Sequence, residues 1–174
     1  VFSRSIRVAL TGVLLLWGCS SPVTPDLIAA PAAAGGGAAG AAGAAGVSAS
    51  LVDLTNQERS KAGVAPLATS TRLMQAAQLQ ADQMASLGRM EHVLMDGPYP
   101  MPQDRLAAAG YKWRAFAENI AWGQRGPEHV TDSWMHSDGH RANMLNATYT
   151  ELGIGYALDE RGRPYYVQVF GRPS

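Results

Sequence analysis

The sequence holds four histidines, at 92, 129, 136 and 140, and a single cysteine, Cys19, so any metal or acid–base chemistry must draw on these and on nearby carboxylates. His136 and His140 have the i, i+4 spacing that places two imidazoles on one helix face in the H-E-x-x-H zinc motif. Position 137 is Ser rather than Glu, and the intervening "SDG" is turn chemistry that would break the helix such a site needs. Glu118 is more informative, because it interrupts the apolar run "AFAENIAWG". If it is buried it must be paired, hydrogen-bonded or protonated; the bland alternative is that strand alternation lifts it into solvent. The sequence contains no G-x-S-x-G elbow, Walker loop or dinucleotide fingerprint.

The elements around these residues read as an α+β domain. "SLVDLTNQERSKAG" predicts a helix with Ser50 and Asp53 as a capping pair and Gly63 as a left-handed stop. "TSTRLMQAAQLQADQMASLG" predicts a second helix between Ser70 or Thr71 and Gly88, with Leu73, Ala77, Ala81 and Met84 on its buried face. A Pro- and Gly-rich loop carrying His92 follows, then a short helix "DRLAAAG" and an extended run through Glu118. Pro127 suits the first turn of a helix reaching about His136. "ELGIGYAL", the turn "DERG" and "RPYYVQVFG" predict a β-hairpin. Helices first and strands later imply helices packed on an antiparallel sheet.

Residues 1–18 read as a lipoprotein signal peptide: Arg4 and Arg7 precede "VALTGVLLLW", which meets "GCSS". Such a run would span only about 15 Å as a helix, about half a bilayer core. "LWGC" resembles a lipobox, which makes Cys19 the expected site of lipid attachment, and a lone exported thiol is better explained by acylation than by disulfide pairing. Residues 19–47, centred on "GGGAAGAAGAAG", predict a flexible tether, leaving 48–174 as the folded domain. Ser20 rather than Asp after the cysteine resembles outer-membrane sorting in some Gram-negative bacteria. With 14 basic and 14 acidic residues and no basic cluster, nucleic acid is a poor partner.

The ordered set "NQERSKAGVAPL", "AAQLQADQM", His92, "RLAAAGY", "AENIAWG", "SWMHSDGHRANMLN", "ELGIGYA" and "VQVFG", covering about residues 51 to 171, resembles the CAP superfamily. These are the cysteine-rich secretory, antigen five and pathogenesis-related-one proteins, or SCP-like domains, here of the bacterial extracytoplasmic branch. The resemblance implies an αβα sandwich with a central antiparallel sheet between helical layers, and a cleft whose residues correspond to His92, Glu118 and His140. A second glutamate found after the tryptophan in many eukaryotic members is absent, since Met135, His136 and Ser137 follow Trp134. It further implies that Gly139 turns the chain sharply to aim His140 at Glu118, that Asn143 and Asn146 satisfy backbone groups, and that His129 and His136 are surface residues.

Two functions follow from the resemblance. One is an extracytoplasmic lipoprotein, exported across the inner membrane and anchored in the envelope by its N-terminal lipid, that binds an envelope lipid, glycan, peptide or protein partner. The alternative is an envelope hydrolase assisted by a divalent metal such as zinc, with His92 and His140 as ligands and Glu118 as a third ligand or as base. Without metal, a carboxylate beside two imidazoles is expected to make at least one of His92 and His140 titrate above about 6.5.

Overall fold

The computed structural model describes residues 38–174, with side chains from residue 43 onward. The signal, Cys19 and the first part of the tether lie outside the described residues. In chain order the elements are α1 (Ala38–Lys61), β1 (Ala68–Thr69), α2 (Thr71–Leu87), α3 (Pro102–Ala108), β2 (Trp113–Trp122), α4 (Pro127–Met135), α5 (Asp138–Met144), β3 (Glu151–Leu158) and β4 (Pro164–Pro173).

Helix α1 begins inside the tract read above as tether, so residues 38–47 are helix and Ser50 is interior rather than a cap. Alanine has the highest helix propensity, and extending a helix already anchored by packing costs far less than nucleating one. The anchor is Leu51 and Thr55, both fully buried. The second helix matches its expectation: Gly88 closes α2 in the left-handed conformation at φ 64°, and Leu73, Ala77, Ala81 and Met84 are fully buried.

The sheet order is β1-β3-β4-β2. Both β2–β4 and β3–β4 are antiparallel, as expected, but the two-residue β1 runs parallel to β3. β1 was not foreseen from sequence. The Asn56 amide brackets the main chain just before it, donating to the Leu67 carbonyl at 3.1 Å and accepting from its N–H at 2.8 Å.

Strand β4 is central and its side chains alternate between two cores. Tyr165, Val167 and Val169 face α2 and α3, whereas Tyr166 and Phe170 face α1, α4 and α5. This is the three-layer α+β sandwich the sequence implied. Gly153 and Gly155 of β3 let the main chain of α2 lie directly on the sheet, since a β-carbon at either would overlap the backbone at Leu73 or Ala77.

A buried polar chain joins the second layer to the sheet. Gln168 Nε2 donates to Thr55 Oγ1 at 2.8 Å, and Asn119 Nδ2 donates to Gln168 Oε1 at 3.0 Å and to the His140 carbonyl at 3.1 Å. Asn143 Nδ2 in turn donates to Asn119 Oδ1 at 2.9 Å. Arg59, only 1 % exposed, closes the far end of α5 by donating to the carbonyls of Met144 at 2.7 Å and Asn146 at 3.0 Å. Helix α5 is therefore fixed at both ends.

Gly139 lies within α5, exposed, with nothing near its would-be β-carbon. The break between α4 and α5 falls instead at His136 and Ser137, which correspond to the cap positions of the two helices. Gly155→Ala should destabilise the domain by roughly 1–3 kcal/mol through overpacking against α2. Gly139→Ala should be neutral or stabilise by up to about 1 kcal/mol, as for alanine replacing a helical glycine. Denaturant unfolding of the two variants checks this, and equal losses would contradict the placement of both glycines.

Candidate functional site

Glu118 sits on β2 with Phe116 and Ile120, on the face packed against α2 and α3. Its side chain is 5 % exposed, so the buried reading holds and a partner is required. That partner is Arg105 of α3, 1 % exposed, whose Nη2 donates to Oε1 at 3.2 Å and to Oε2 at 3.1 Å. The same guanidinium gathers the loop before it, donating to the carbonyls of His92 at 3.0 Å, Tyr99 at 3.1 Å and Pro100 at 3.4 Å. Pro102 at the first turn and the Asp104 carboxylate, accepting from the Met101 N–H at 3.0 Å, start the helix that holds Arg105.

His92 is held from both sides. Gln80 Nε2 donates to the neighbouring Glu91 carbonyl at 2.6 Å, and Arg105 takes the carbonyl of His92 itself. Its ring Nδ1 lies 2.9 Å from Glu118 Oε1, with the side chain 48 % exposed. With Nδ1 donating to the carboxylate, Nε2 is the ring nitrogen left for solvent or a ligand.

His140 comes from the opposite layer, on α5, and is half-buried. No hydrogen bond links its ring to His92 or Glu118 among the described residues. Its pKa lies below the ordinary imidazole value, chiefly because burial disfavours the charged form and secondly because of the His92 charge. At least one of His92 and His140 is expected to titrate above about 6.5; His140 does not do so, because burial opposes its charged form.

The structure thus brings His92 and Glu118 into contact and relates His140 to His92 only through charge. The corresponding metal arrangement is limited. Among the described residues no group of three His, Cys, Asp or Glu side chains is placed to hold an ion. Glu118 does not fit as a third ligand, since both its oxygens are engaged by Arg105 and one also by His92. Glu118 instead orients His92 from behind through Nδ1.

His129 and His136 are exposed as expected, His136 Nδ1 lying 3.2 Å from Asp132 in its own helix. Asn146 meets a backbone group, the Thr148 N–H at 2.8 Å, but Asn143 pairs with the side chain of Asn119 instead. Sequence reasoning missed Arg105 and Asn119. The apolar run around Glu118 signalled that a counter-charge was needed, yet nothing in "DRLAAAG" marks its arginine as buried. An apolar groove of about 690 Å³ lined by Val52, Met74 and Ile154 lies away from all these residues, and the ionisable chemistry stays with Glu118.

Comparison with known proteins places this geometry in context. The profile of the cysteine-rich secretory protein family, CAP, matches residues 52–170. The uncharacterized protein YkwD of Bacillus subtilis is 36 % identical over 122 residues, 70 % of this chain and 46 % of its own length. An extracellular protein of Bacillus anthracis containing an SCP domain superposes with a TM-score of 0.68 at 26 % identity, over 88 % of this chain and 45 % of that one. A cysteine-rich secretory protein of Staphylococcus aureus gives 0.60 at 25 % identity, over 74 % and 39 %. The chain spans less than half the length of each.

The sign of the His140 shift fixes a pH dependence. Because its folded-state pKa is depressed, the unfolded chain takes up the proton first as pH falls below about 6.5. The contribution to stability is therefore fully present above that pH and is lost as pH falls through the folded pKa. NMR titration should show His140 below about 6.5 and moving upward in His92→Asn, which removes the opposing charge. A His140 resonance titrating above that value, or one indifferent to His92→Asn, would overturn the assignment.

Proposed function

This chain belongs to the CAP family of cysteine-rich secretory proteins, and on that premise we propose that it is a membrane-anchored extracytoplasmic lipoprotein. Its His92, Glu118 and His140 cleft binds an envelope ligand, a lipid, glycan or peptide, or a protein partner. The observation that carries this reading is the engagement of Glu118 by Arg105 and His92. A carboxylate so committed serves to position its neighbours. What remains open to a ligand is Nε2 of His92 and the half-buried imidazole of His140.

Export is supported by the likeness to the extracellular Bacillus anthracis protein and by the signal-like segment ahead of Cys19. No helix among the described residues is long and apolar enough to cross a membrane, so attachment through Cys19 supplies the anchor in this reading. Two or more acyl chains make such attachment effectively stable.

A second reading is favoured by the His92–Glu118 contact: the two imidazoles hold a divalent ion such as zinc, and Glu118 fixes the tautomer of His92 as outer carboxylates do in histidine metal sites. The hydrolase alternative needs Glu118 as third ligand or free base as well, which its pairing with Arg105 opposes.

Replacing Cys19 with Ala should release the protein from membranes or block processing; unchanged retention with normal processing would remove the anchor from the account. For the cleft, the His92 and His140 imidazole resonances should shift on titration with one of three separated envelope fractions, lipid, glycan or peptide. His92→Ala should weaken that binding at least about tenfold, or roughly 1.4 kcal/mol. Zinc, under the second reading, should suppress protonation of both imidazoles and raise the melting temperature. Imidazoles indifferent to every fraction and to zinc would end both readings.

A further inference from the structure

The topology leaves β2 outermost, with no described strand on its far side. Such an edge presents a row of main-chain donors and acceptors that another strand can pair. The Gly123 N–H donates to the Pro164 carbonyl at 2.8 Å, in the same register that pairs Ala121 with Tyr166, Asn119 with Gln168 and Ala117 with Phe170. In an antiparallel ladder alternate residues bond to the same neighbour, so these four face β4 and Phe116, Glu118 and Ile120 direct their main-chain groups outward.

The outward groups are not equally available. Trp134 Nε1 donates to the Ile120 carbonyl at 3.3 Å, and the residues from Asn119 to Ala121 are buried. The Tyr149 hydroxyl reaches the Phe116 carbonyl at 3.5 Å. Between them Glu118 keeps both its N–H and its C=O without a partner among the described residues. Glu118 is only half-buried as a residue although its side chain is 5 % exposed, so its remaining exposure lies on the main chain.

Resting on the cleft reading above, we propose that the ligand is an extended peptide bearing acidic side chains, which pairs with the main chain of Glu118 as an added strand outside β2. Strand addition obtains affinity from main-chain hydrogen bonds and selectivity from alternate side chains. Edge strands commonly deter such pairing with bulges or inward charges. β2 has a register shift between Trp113 and Ala115, before the open part, and its inward charge at Glu118 is neutralised by Arg105. The open segment is therefore undefended. Its neighbours select the partner: Arg114 on the strand and Arg141 beside His140 are exposed and have no acidic partner among the described residues. Met90 and Val93 give the His92 loop an exposed apolar lip. A peptide alternating acidic and apolar side chains matches the two sides.

Amide hydrogen exchange by NMR on the full chain tests this, with a blocked heptapeptide alternating glutamate and valine as probe. In the free protein the Glu118 amide should exchange at least about 100-fold faster than those of Ala117 and Asn119, and the peptide at millimolar concentration should slow it about tenfold or more. Methylating alternate peptide nitrogens, or replacing glutamate with lysine, should abolish the protection. A Glu118 amide already as protected as its neighbours would overturn the proposal, as would one unmoved by the peptide or a methylated peptide that protects it equally. If the imidazoles of His92 and His140 answer to an envelope fraction while that amide does not, the cleft reading stands and strand addition falls.

Discussion

Burying the Glu118 carboxylate is the constraint around which the first helical layer is arranged. An isolated carboxylate at 5 % exposure would cost several kcal/mol, and the pair with Arg105 removes that cost only because the rest of the guanidinium is also satisfied. It is satisfied by three carbonyls from the loop between α2 and α3. One side chain thus folds the loop, holds β2 against α3 and sets the position of His92.

The second layer has its own buried arginine, solved differently. Among the described residues Arg59 meets no carboxylate and instead donates to the carbonyls of Ala65, Met144, Asn146 and Tyr149. Met144 ends α5, where the helix dipole places partial negative charge, so the carbonyls do part of a counter-ion's task. Arg59 fixes the segment bearing His140 as Arg105 fixes the segment bearing His92. His92 meets β2 through its ring and His140 through its main-chain carbonyl, each held by its own layer, and Asn119 ties the second of these supports to the strand.

Much of this was legible in the sequence where local rules dominate. The α2 stop at Gly88, its buried stripe and the hairpin of β3 and β4 all follow from periodicity and turn residues. The start of α1 was not legible, because an Ala- and Gly-rich tract has the composition of a tether until a packed turn beyond it serves as a nucleus. β1 is too short to carry a pattern. At the site, the apolar surroundings of Glu118 announced a buried carboxylate, but its partner lies across a loop and in an ordinary helical motif. Gly139 invited a turn, whereas the cap at Ser137 moves the break before it.

The central claim is that Arg105 and Glu118 form one coupled unit. A double-mutant cycle with Arg105→Met and Glu118→Leu, followed by denaturant unfolding, measures that coupling. Each single change should cost about 3–5 kcal/mol by stranding a buried charge, and the double variant should cost clearly less than their sum, short of full recovery because the loop carbonyls lose their donor. Losses that simply add would mean that the two charges are solvated separately, and the account of the site would fail with them.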